Sequence, residues 1–501
     1  MNGHQAKFSR LQSLRARLCI FAVVSLILFW VFLPRHESHF PPWTASLAQE
    51  LGHPMFPDIR SYEQNLPQHV MPSLLSKGTD RPRYLFFPNA TWGCGWNNIL
   101  QEQLLNTHLA YLSERAYVFP GYIARDHPPL PDTLPNGDRH PLHIPANAFT
   151  SGSTTGGPLS SDGTDRLMRR AVSEEWYNVV CPRTEVVTLD LHGTTRELGL
   201  DDNSEGVDIM ARWAKKLSEM TAPCVSVDGG PLFSYVIFSS KRLISLWPSY
   251  SQGPALKYFA WSPLVTATVF RNFQLLGQHP PPQALTPTGD RPHTFRSFPP
   301  YNSSAPPILG LLGIHLRRGD FKQHCYRLVR EGLEYNAWNQ LGTPEITVRP
   351  VLHPSTPPGY AWPALPDYLD IRQGQSRGDA AFDHCWPSAE TIVSRVNAIR
   401  QSAESGGAFP SQNLRRIYIA TNGDPSWIGN LAAHLRADGW DVSSSFDMQL
   451  TLEEHTVAQA VDMSVLAGAE SFIGAGFSSL TSNVVQIRLA GGKHPETIHF
   501  W

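Results

Sequence analysis

Residues 308–320 have the sequence ILGLLGIHLRRGD, and this stretch decides the fold. Its first nine residues are apolar except for His315, which is typical of a buried strand that ends at Leu316. The charged sequence RRGD follows at once. Two guanidinium groups and a glycine at a strand end suit a pyrophosphate, because Arg offers forked donors and a fixed charge. A structural Arg–Asp pair in a domain wall is the alternative.

The rest of the C-terminal half alternates between helix and strand patterns. We predict helices over residues 388–402, from Asp424-Pro425 onward, over 452–469 and over 479–489, with strands over 417–420 and 471–473. The N-terminal half shows a strand at 84–87, a glycine loop at 93–98, a Leu-rich amphipathic helix and a strand at 116–119, which together form a βαβ unit. Further strands are predicted at 186–191 and 224–227. Such alternation predicts two α/β domains that face each other.

Proline-rich segments interrupt this alternation of helices and strands. The chain has 501 residues, enough for two or three domains. Pro supplies 43 of them, about 9% against a usual ~5%. Nine prolines in 279–307 indicate a domain linker, while 128–165 and 340–378 are interpreted as an inserted loop and an excursion. The net charge of −2 gives no support for a nucleic-acid binder.

A second candidate site is the sequence GAGFSSLT of residues 474–481. Glycines let backbone amides approach a ligand, and the N-terminus of the following helix attracts anions. Hydroxyl donors would come from Ser478, Ser479 and Thr481. An N-cap with a tight turn is the alternative. The stretch lacks the second glycine of GxSxG, so a serine hydrolase is a poor alternative.

A third candidate is the sequence GCGWNN of residues 93–98. It is not the GxGxxG of a dinucleotide site, and no acidic residue in the right place implies a ribose contact. Taken alone, it is a weak signal.

The N-terminus predicts a membrane anchor. Basic residues precede an uncharged run over 18–33, whose length of about 24 Å as a helix suits the thinner membranes of the early secretory pathway. The positive flank favours a cytosolic tail and a lumenal body. A cleaved signal peptide is the alternative, although no small-x-small site follows closely.

A body in the lumen could be N-glycosylated and could form disulfides. Asn89 and Asn302 begin N-glycosylation sequons. Five cysteines lie outside the apolar run, so at most two disulfides form among them, and their pairing stays open. No CxxC spacing indicates a zinc site.

In combination, the three candidate loops resemble the GDP-fucose O-fucosyltransferase superfamily. The Gly93–Asn98 loop with YVFP at 117–120 is similar to the first motif of that family, and HLRRGD at 315–320 to the second. ATNGD at 420–424 and the stretch 472–481 are similar to later motifs. This resemblance covers patches between about residues 84 and 490.

The resemblance implies a GT-B fold in which two Rossmann-like domains face a central cleft. The implied organisation is a cytosolic tail (1–17), a transmembrane signal anchor (18–33), a stem (34–80), an N-terminal acceptor-side domain (81–278), a Pro-rich linker (279–307) and a C-terminal domain that binds the nucleotide sugar (308–501).

It also implies residue roles. Arg317 would contact the departing diphosphate, and Asn97 would lie near the sugar and acceptor; these two are the predicted catalytic residues. The predicted substrate-binding residues are His315, Arg318, Asp320, Gly474, Ser478, Ser479, Thr481, Gly93 and Gly95.

The implied function is transfer of fucose from GDP-fucose to a hydroxyl of a protein or glycan, by an enzyme anchored in the Golgi or endoplasmic reticulum membrane. Fixed cations and amide dipoles stabilise a departing diphosphate. The chain has no Asp-x-Asp pair, so we expect inverting transfer without a metal or other cofactor. No acidic residue lies in the 93–98 loop, where some family members carry a base. The alternatives are a non-catalytic sugar- or nucleotide-binding protein and a transferase for a different nucleotide sugar.

Overall fold

A computed structural model describes residues 56–71, 73, 81–88, 94–123, 143–160, 166–277, 307–331, 334–341, 382–405 and 413–501. Several predictions lie outside these residues: the tail and apolar run at 1–33, the linker up to 306, and Asn89, Gly93 and Asn302. Within the described residues, no helix has both the length and the apolar character needed to cross a membrane.

The N-terminal half is built on a parallel sheet. Its strands are β1 (Tyr84–Phe86), β2 (Ala116–Phe119), β3 (Tyr122–Ile123), β4 (His143–Ile144), β5 (Val172–Ser173), β6 (Val187–Asp190) and β7 (Cys224–Asp228). Five of them form a sheet in the order β5-β2-β1-β7-β6, in which every pairing is parallel. Strands β3 and β4 pair antiparallel. The βαβ unit predicted from residue 84 to residue 119 is present.

Helices surround this sheet. They are α1 (Phe56–Gln64), α2 (Trp96–Leu112), α3 (Glu174–Val180), α4 (Leu191–Glu197), α5 (Gly206–Glu219), α6 (Tyr235–Phe238), α7 (Trp247–Tyr250), α8 (Pro254–Lys257) and α9 (Pro263–Arg271). Helix α2 contains the predicted leucine pattern, but it is not amphipathic in the expected sense. Its polar residues Asn97 and Gln101 are as buried as its leucines, because both bond to side chains of the C-terminal half.

The C-terminal half has a second parallel sheet. Its strands are β8 (Ile308–Leu316), β9 (Arg416–Thr421), β10 (Asp441–Ser444), β11 (Ala469–Gly474) and β12 (Ile498–Phe500), in the order β10-β9-β8-β11-β12. All four pairings are parallel. The chain is therefore α/β, with two parallel five-stranded sheets.

The helices of this half are α10 (Phe321–Glu331), α11 (Ala389–Glu404), α12 (Pro425–Ala437), α13 (Leu452–Thr456), α14 (Ala458–Gly468) and α15 (Ser479–Ala490). Helix α12 begins where predicted, with Asp424 accepting from the Trp427 N–H at 3.0 Å. The single helix expected over 452–469 is two helices. Strand β12 was not predicted, because His499 interrupts its three residues and leaves no apolar run.

Part of the predicted stem packs onto the body. Phe56 and Ile59 of α1 are buried, and the Glu63 Oε1 accepts from the Asn147 N–H at 2.8 Å. The Gln68 Nε2 donates to the carbonyls of Gly156 and Ala171 at 3.1 and 2.5 Å. Residues 56–71 therefore belong to the folded body rather than to a spacer. The few apolar residues of this segment lie among prolines and polar residues, so its packing could not be predicted from the sequence.

The His69 ring lies beside the edge strand β5. Its Nε2 accepts from the Ser173 N–H at 3.3 Å, and the ring stacks on Trp176 with centroids 4.9 Å apart. The region interpreted as an inserted loop is also partly built into the body, since Ile144, Ala148 and Phe149 are buried.

Two disulfides connect Cys181 with Cys224 and Cys325 with Cys385. This pairing could not be chosen from the sequence. Cys94 is exposed and lies outside both bonds.

Candidate functional site

The candidate site lies at the carboxyl ends of β8 and β11. Strand β8 comes first in its half of the chain, and later strands are added on both of its sides. Ligands of open α/β sheets bind outside the carboxyl ends of the strands where the strand order reverses in this way. The HLRRGD stretch leaves the sheet at this point from β8, and the 474–481 stretch leaves it from β11.

A hydrogen bond joins the two stretches. The His315 Nδ1 lies 2.8 Å from the Thr481 Oγ1, and the same hydroxyl accepts from the Ala475 N–H at 3.1 Å. A Cβ at Gly474 would come within 2.2 Å of the Thr481 Cγ2, so this approach requires glycine. The Thr481 oxygen accepts from the Ala475 N–H through one lone pair, and towards His315 the hydroxyl can either donate or accept, according to the tautomer of the ring.

His315 is neutral at physiological pH. Burial, and to a lesser degree the charge of Arg317, lowers the pKa of His315 to about 3. The ring therefore offers hydrogen bonds and no charge to this edge of the sheet.

Trp501 connects the same two strand ends from another side. Its backbone N–H donates to the Gly474 carbonyl at 3.2 Å, and its indole Nε1 donates to the His315 carbonyl at 2.8 Å. The ends of β8 and β11 are thus fixed relative to each other by both side-chain and backbone bonds.

Arg317 carries an accessible charge at this edge. Its side chain is 32% exposed, and Nη2 lies 3.3 Å from the Asp320 Oδ1, whose side chain is 79% exposed. The guanidinium also lies 5.2 Å from the centroid of the Phe321 ring. Burial lowers the pKa of Arg317 below its usual value, and the charge of Asp320 offsets part of this effect. Among the described residues Asp320 is the one ion-pair partner of Arg317, so the guanidinium keeps donors for an incoming anion.

Arg318 has a different environment. Its guanidinium lies between the rings of Trp386 and Trp427, at 4.4 and 4.2 Å from their centroids, and Nη2 donates to the Pro387 carbonyl. Burial lowers the pKa of Arg318 to about 10. These contacts hold the turn, and the role of Arg318 as a substrate-binding residue stays a prediction.

The turn itself depends on Asn422 and Gly319. The Arg318 N–H donates to the Asn422 Oδ1 at 3.0 Å. Gly319 has a φ of +63°, and a Cβ there would meet the Asn422 Nδ2 at 3.0 Å. The ATNGD motif of 420–424 therefore supports the RRGD turn.

The third candidate loop adjoins the same region through helix α2. The Asn97 Nδ2 donates to the Gln459 Oε1 at 2.9 Å, and the Asn483 Nδ2 donates to the Asn97 carbonyl at 2.8 Å. Gly95 is exposed at the N-cap of α2. The structure thus brings Asn97 beside α15, where its carboxamide already has protein partners.

At the start of α15, Ser478 is buried at the N-cap and makes no side-chain capping bond. Ser479, the first residue of the helix, is half-buried. The helix has 12 residues, so its N-terminus carries the partial positive charge of a full helix dipole.

Two features of this region were not predicted from the sequence. One is a row of buried polar residues between the halves, in which Gln101 donates to Asn336 and Ser482, and Tyr250 donates to Gln486. The four-residue spacing of Asn97 and Gln101 on a leucine-rich helix was an available signal.

The other is Asp462, a carboxylate on the apolar helix α14. It accepts from the Tyr418 hydroxyl at 2.6 Å and from the Ser445 hydroxyl at 3.0 Å. Burial raises the pKa of Asp462 to about 7. Its signal was a single acid in an apolar helix.

A metal site is not evident in the part of the chain that the structure describes, where no group of three or more His, Cys, Asp or Glu side chains could hold an ion. The positive groups at the site are Arg317 and the N-terminus of α15. Together with a neutral imidazole and hydroxyl groups, they are complementary to a phosphate-bearing ligand.

No protein-family model matches the chain, and no curated protein matches it. Among solved structures it is similar to POFUT1 in complex with GDP-fucose in crystal form II, at 13% identity over 81% of this chain and 94% of that one, with a TM-score of 0.45. For crystal form I with GDP-fucose, the identity is 14% over 85% and 99%, with a TM-score of 0.45. For POFUT1 with GDP, it is 12% over 84% and 99%, with a TM-score of 0.44. Scores of this size are too low to transfer a fold, a donor or an activity to this chain.

Proposed function

We propose that this chain is a glycosyltransferase of the GT-B type that moves fucose from GDP-fucose to a hydroxyl of a protein or glycan. The observation that carries the proposal is the 2.8 Å bond between His315 and Thr481. It joins the strand that leads into Arg317 to the helix whose N-terminus follows Gly474. A cation, a helix N-terminus and hydroxyl groups at one edge of the sheet suit a diphosphate.

In the proposed reaction the acceptor oxygen attacks the anomeric carbon of fucose from the face opposite the diphosphate. The bond between that carbon and the β-phosphate oxygen breaks, and its electron pair leaves with GDP. Arg317 and the amides of α15 stabilise the charge that develops on the departing oxygen. The configuration inverts. We propose no metal or cofactor and assign no residue to the acceptor's proton.

Asn97 is proposed to contact the sugar or the acceptor. One hydrogen of its Nδ2 is donated to the Gln459 Oε1, and the second hydrogen would make the contact with the ligand. His315 would act as a neutral hydrogen-bonding group. Asp320, being 79% exposed, would orient Arg317 through their 3.3 Å pair.

The experiment that tests the proposal is calorimetry of the full-length protein with GDP and GDP-fucose, followed by transfer assays on an acceptor panel. We expect binding well below millimolar concentrations and transfer that EDTA does not change. Absence of GDP binding would refute the proposal. Tighter binding of another nucleotide sugar would change the donor, and strong inhibition by EDTA would refute metal independence.

A non-catalytic binding protein is the second candidate. It is favoured by the lack of an acid in the 93–98 loop and by the protein partners of the Asn97 carboxamide. Binding of GDP-fucose without hydrolysis or transfer would support it.

We further propose that the protein is a single-pass type II membrane protein of the Golgi or endoplasmic reticulum, with the body in the lumen. Its two disulfides suit an oxidising compartment. Protease protection of the body in intact microsomes, and a mobility shift on deglycosylation at Asn89 or Asn302, would test this topology. Digestion of the body without detergent would contradict it.

A further inference from the structure

Residues 334–341 lie directly against the loop between β11 and α15. The Asn336 N–H donates to the Gly476 carbonyl at 2.9 Å. The Asn339 Nδ2 donates to the Gly476 and Ser478 carbonyls at 2.7 and 3.1 Å. One buried carboxamide therefore holds two carbonyls of the candidate phosphate loop.

This close packing depends on Gly476. A Cβ at residue 476 would come within 2.5 Å of atoms in the Tyr335 ring. The segment is also held from the other half of the chain, because the Gln101 Nε2 donates to the Asn336 Oδ1 at 2.9 Å and to the Ser482 Oγ at 2.8 Å. The segment is thus anchored on two sides.

Asn339 donates both of its side-chain hydrogen bonds to the loop. Its side chain is fully buried, and its Oδ1 has no hydrogen-bond partner among the described residues. A buried acceptor without a partner costs stability.

The orientation of the two carbonyls fixes the orientation of two N–H groups. In a planar trans peptide the C=O and the next N–H point in opposite directions. When Asn339 draws the carbonyls of Gly476 and Ser478 towards itself, the N–H groups of Phe477 and Ser479 turn away from residues 334–341. The Ser478 N–H between them is held within the loop by the Ala475 carbonyl at 2.9 Å. Two backbone N–H groups that leave the same side of a loop can bind one anion.

We propose that Asn339 is a positioning residue that orients the Phe477 and Ser479 N–H groups towards the phosphates of a nucleotide ligand. Asn339 acts through the loop and does not touch the ligand. The inference rests on the proposed function, since it requires a phosphate-bearing ligand at this loop.

The test is the variant Asn339→Leu in the full-length protein. Leu has a similar volume, and each carbonyl keeps one partner, because the Asn336 N–H still reaches Gly476 and the Ser482 N–H reaches the Ser478 carbonyl at 3.0 Å. We expect the affinities for GDP and for inorganic pyrophosphate to fall at least ~10-fold, while the affinity for guanosine is unchanged. Only a role in phosphate binding predicts this split.

Gln340→Met is the matched control. The Gln340 side chain is equally buried, and it donates to the Tyr335 carbonyl instead of the loop. Its replacement should leave the ratio of GDP to guanosine affinity unchanged. If Asn339→Leu does not fold, Asn339→Ser is measured by the same ratio.

An equal fall in GDP and guanosine affinity in the Asn339 variant, or no fall in either, would overturn the positioning role while the proposed function stands. A wild-type protein that binds neither GDP nor pyrophosphate would overturn both.

Discussion

His315 and Thr481 are 166 residues apart in the sequence, and their side chains are 2.8 Å apart in the structure. This contact holds the ends of β8 and β11 together. Because the Thr481 hydroxyl also accepts from the Ala475 N–H, one small side chain organises both candidate stretches.

Thr481→Val removes this hydroxyl while keeping the shape of the side chain. We expect a loss of about 1–3 kcal/mol in stability, because the Ala475 N–H and the His315 Nδ1 both lose a buried partner. GDP affinity, measured by calorimetry, should fall with it. Thr481→Ser keeps the hydroxyl and should restore binding. Equal affinities in Val and Ser variants would contradict the role of the hydroxyl.

Arg317→Ala tests the accessible cation. We expect the transfer rate to fall about 10²-fold or more, with little change in melting temperature, since the side chain is 32% exposed and has a 79% exposed partner. Arg415→Ala, another exposed arginine of the same half, should change neither quantity. Full turnover by Arg317→Ala would remove that residue from the mechanism.

Arg318→Met should have the opposite profile. The variant loses contacts with two indole rings and a bond to the Pro387 carbonyl, so we expect a destabilisation of about 2–4 kcal/mol. Below its melting transition, which circular dichroism locates, the variant should bind GDP within a few-fold of wild type. A stable Arg318→Met protein that has lost GDP affinity would instead support direct ligand contact.

The disulfide between Cys325 and Cys385 closes a loop of 60 residues. Chain entropy predicts a stabilisation of about 4 kcal/mol for a loop of this length. The pair Cys325→Ser and Cys385→Ser should therefore lower the melting temperature clearly. Because Cys385 precedes Trp386, which stacks on Arg318, the turn should also become more sensitive to proteolysis. An unchanged melting temperature would contradict this assignment.

Glu63 gives the stability a pH dependence. Burial raises the pKa of Glu63 from 4.5 to about 7 in the folded protein. The folded state therefore binds the proton more tightly than the unfolded state, so protonation of Glu63 stabilises the fold. This stabilisation is complete below about pH 4.5 and is lost as pH rises through 7.

Glu63→Gln keeps an acceptor for the Asn147 N–H. The variant and the wild type should have similar melting temperatures at pH 5. At pH 8 the variant should have the higher melting temperature, and its free energy of unfolding should exceed that of the wild type by at most about 3 kcal/mol. Glu219→Gln, at an exposed position, serves as the control. A variant without a higher melting temperature at pH 8 would contradict the shifted pKa.

Most helices and strands of the fold could be predicted from local sequence patterns. Strand β8 was predicted residue for residue, because nine largely apolar residues end at a charged turn. Helix α12 was predicted from Asp424-Pro425 for the same kind of reason, since capping chemistry lies within a few residues.

The differences within the site could not be predicted in this way. Arg317 and Arg318 are neighbours in the sequence, and only the positions of Trp386 and Trp427, more than 60 residues away, decide which one is held in the turn. Asn339 belongs to a short segment without periodicity, and its importance depends on carbonyls 137 and 139 residues further along.

The docking of residues 56–71 on strand β5 has a consequence for solubility. Strand β5 is at the edge of its sheet, and its flank is occupied by the Gln68 bond to the Ala171 carbonyl and the His69 bond to the Ser173 N–H. Open sheet edges pair with other chains and promote aggregation. A chain shortened to begin at residue 81 would uncover that edge and should self-associate, whereas one that retains residues 56–71 should stay dispersed.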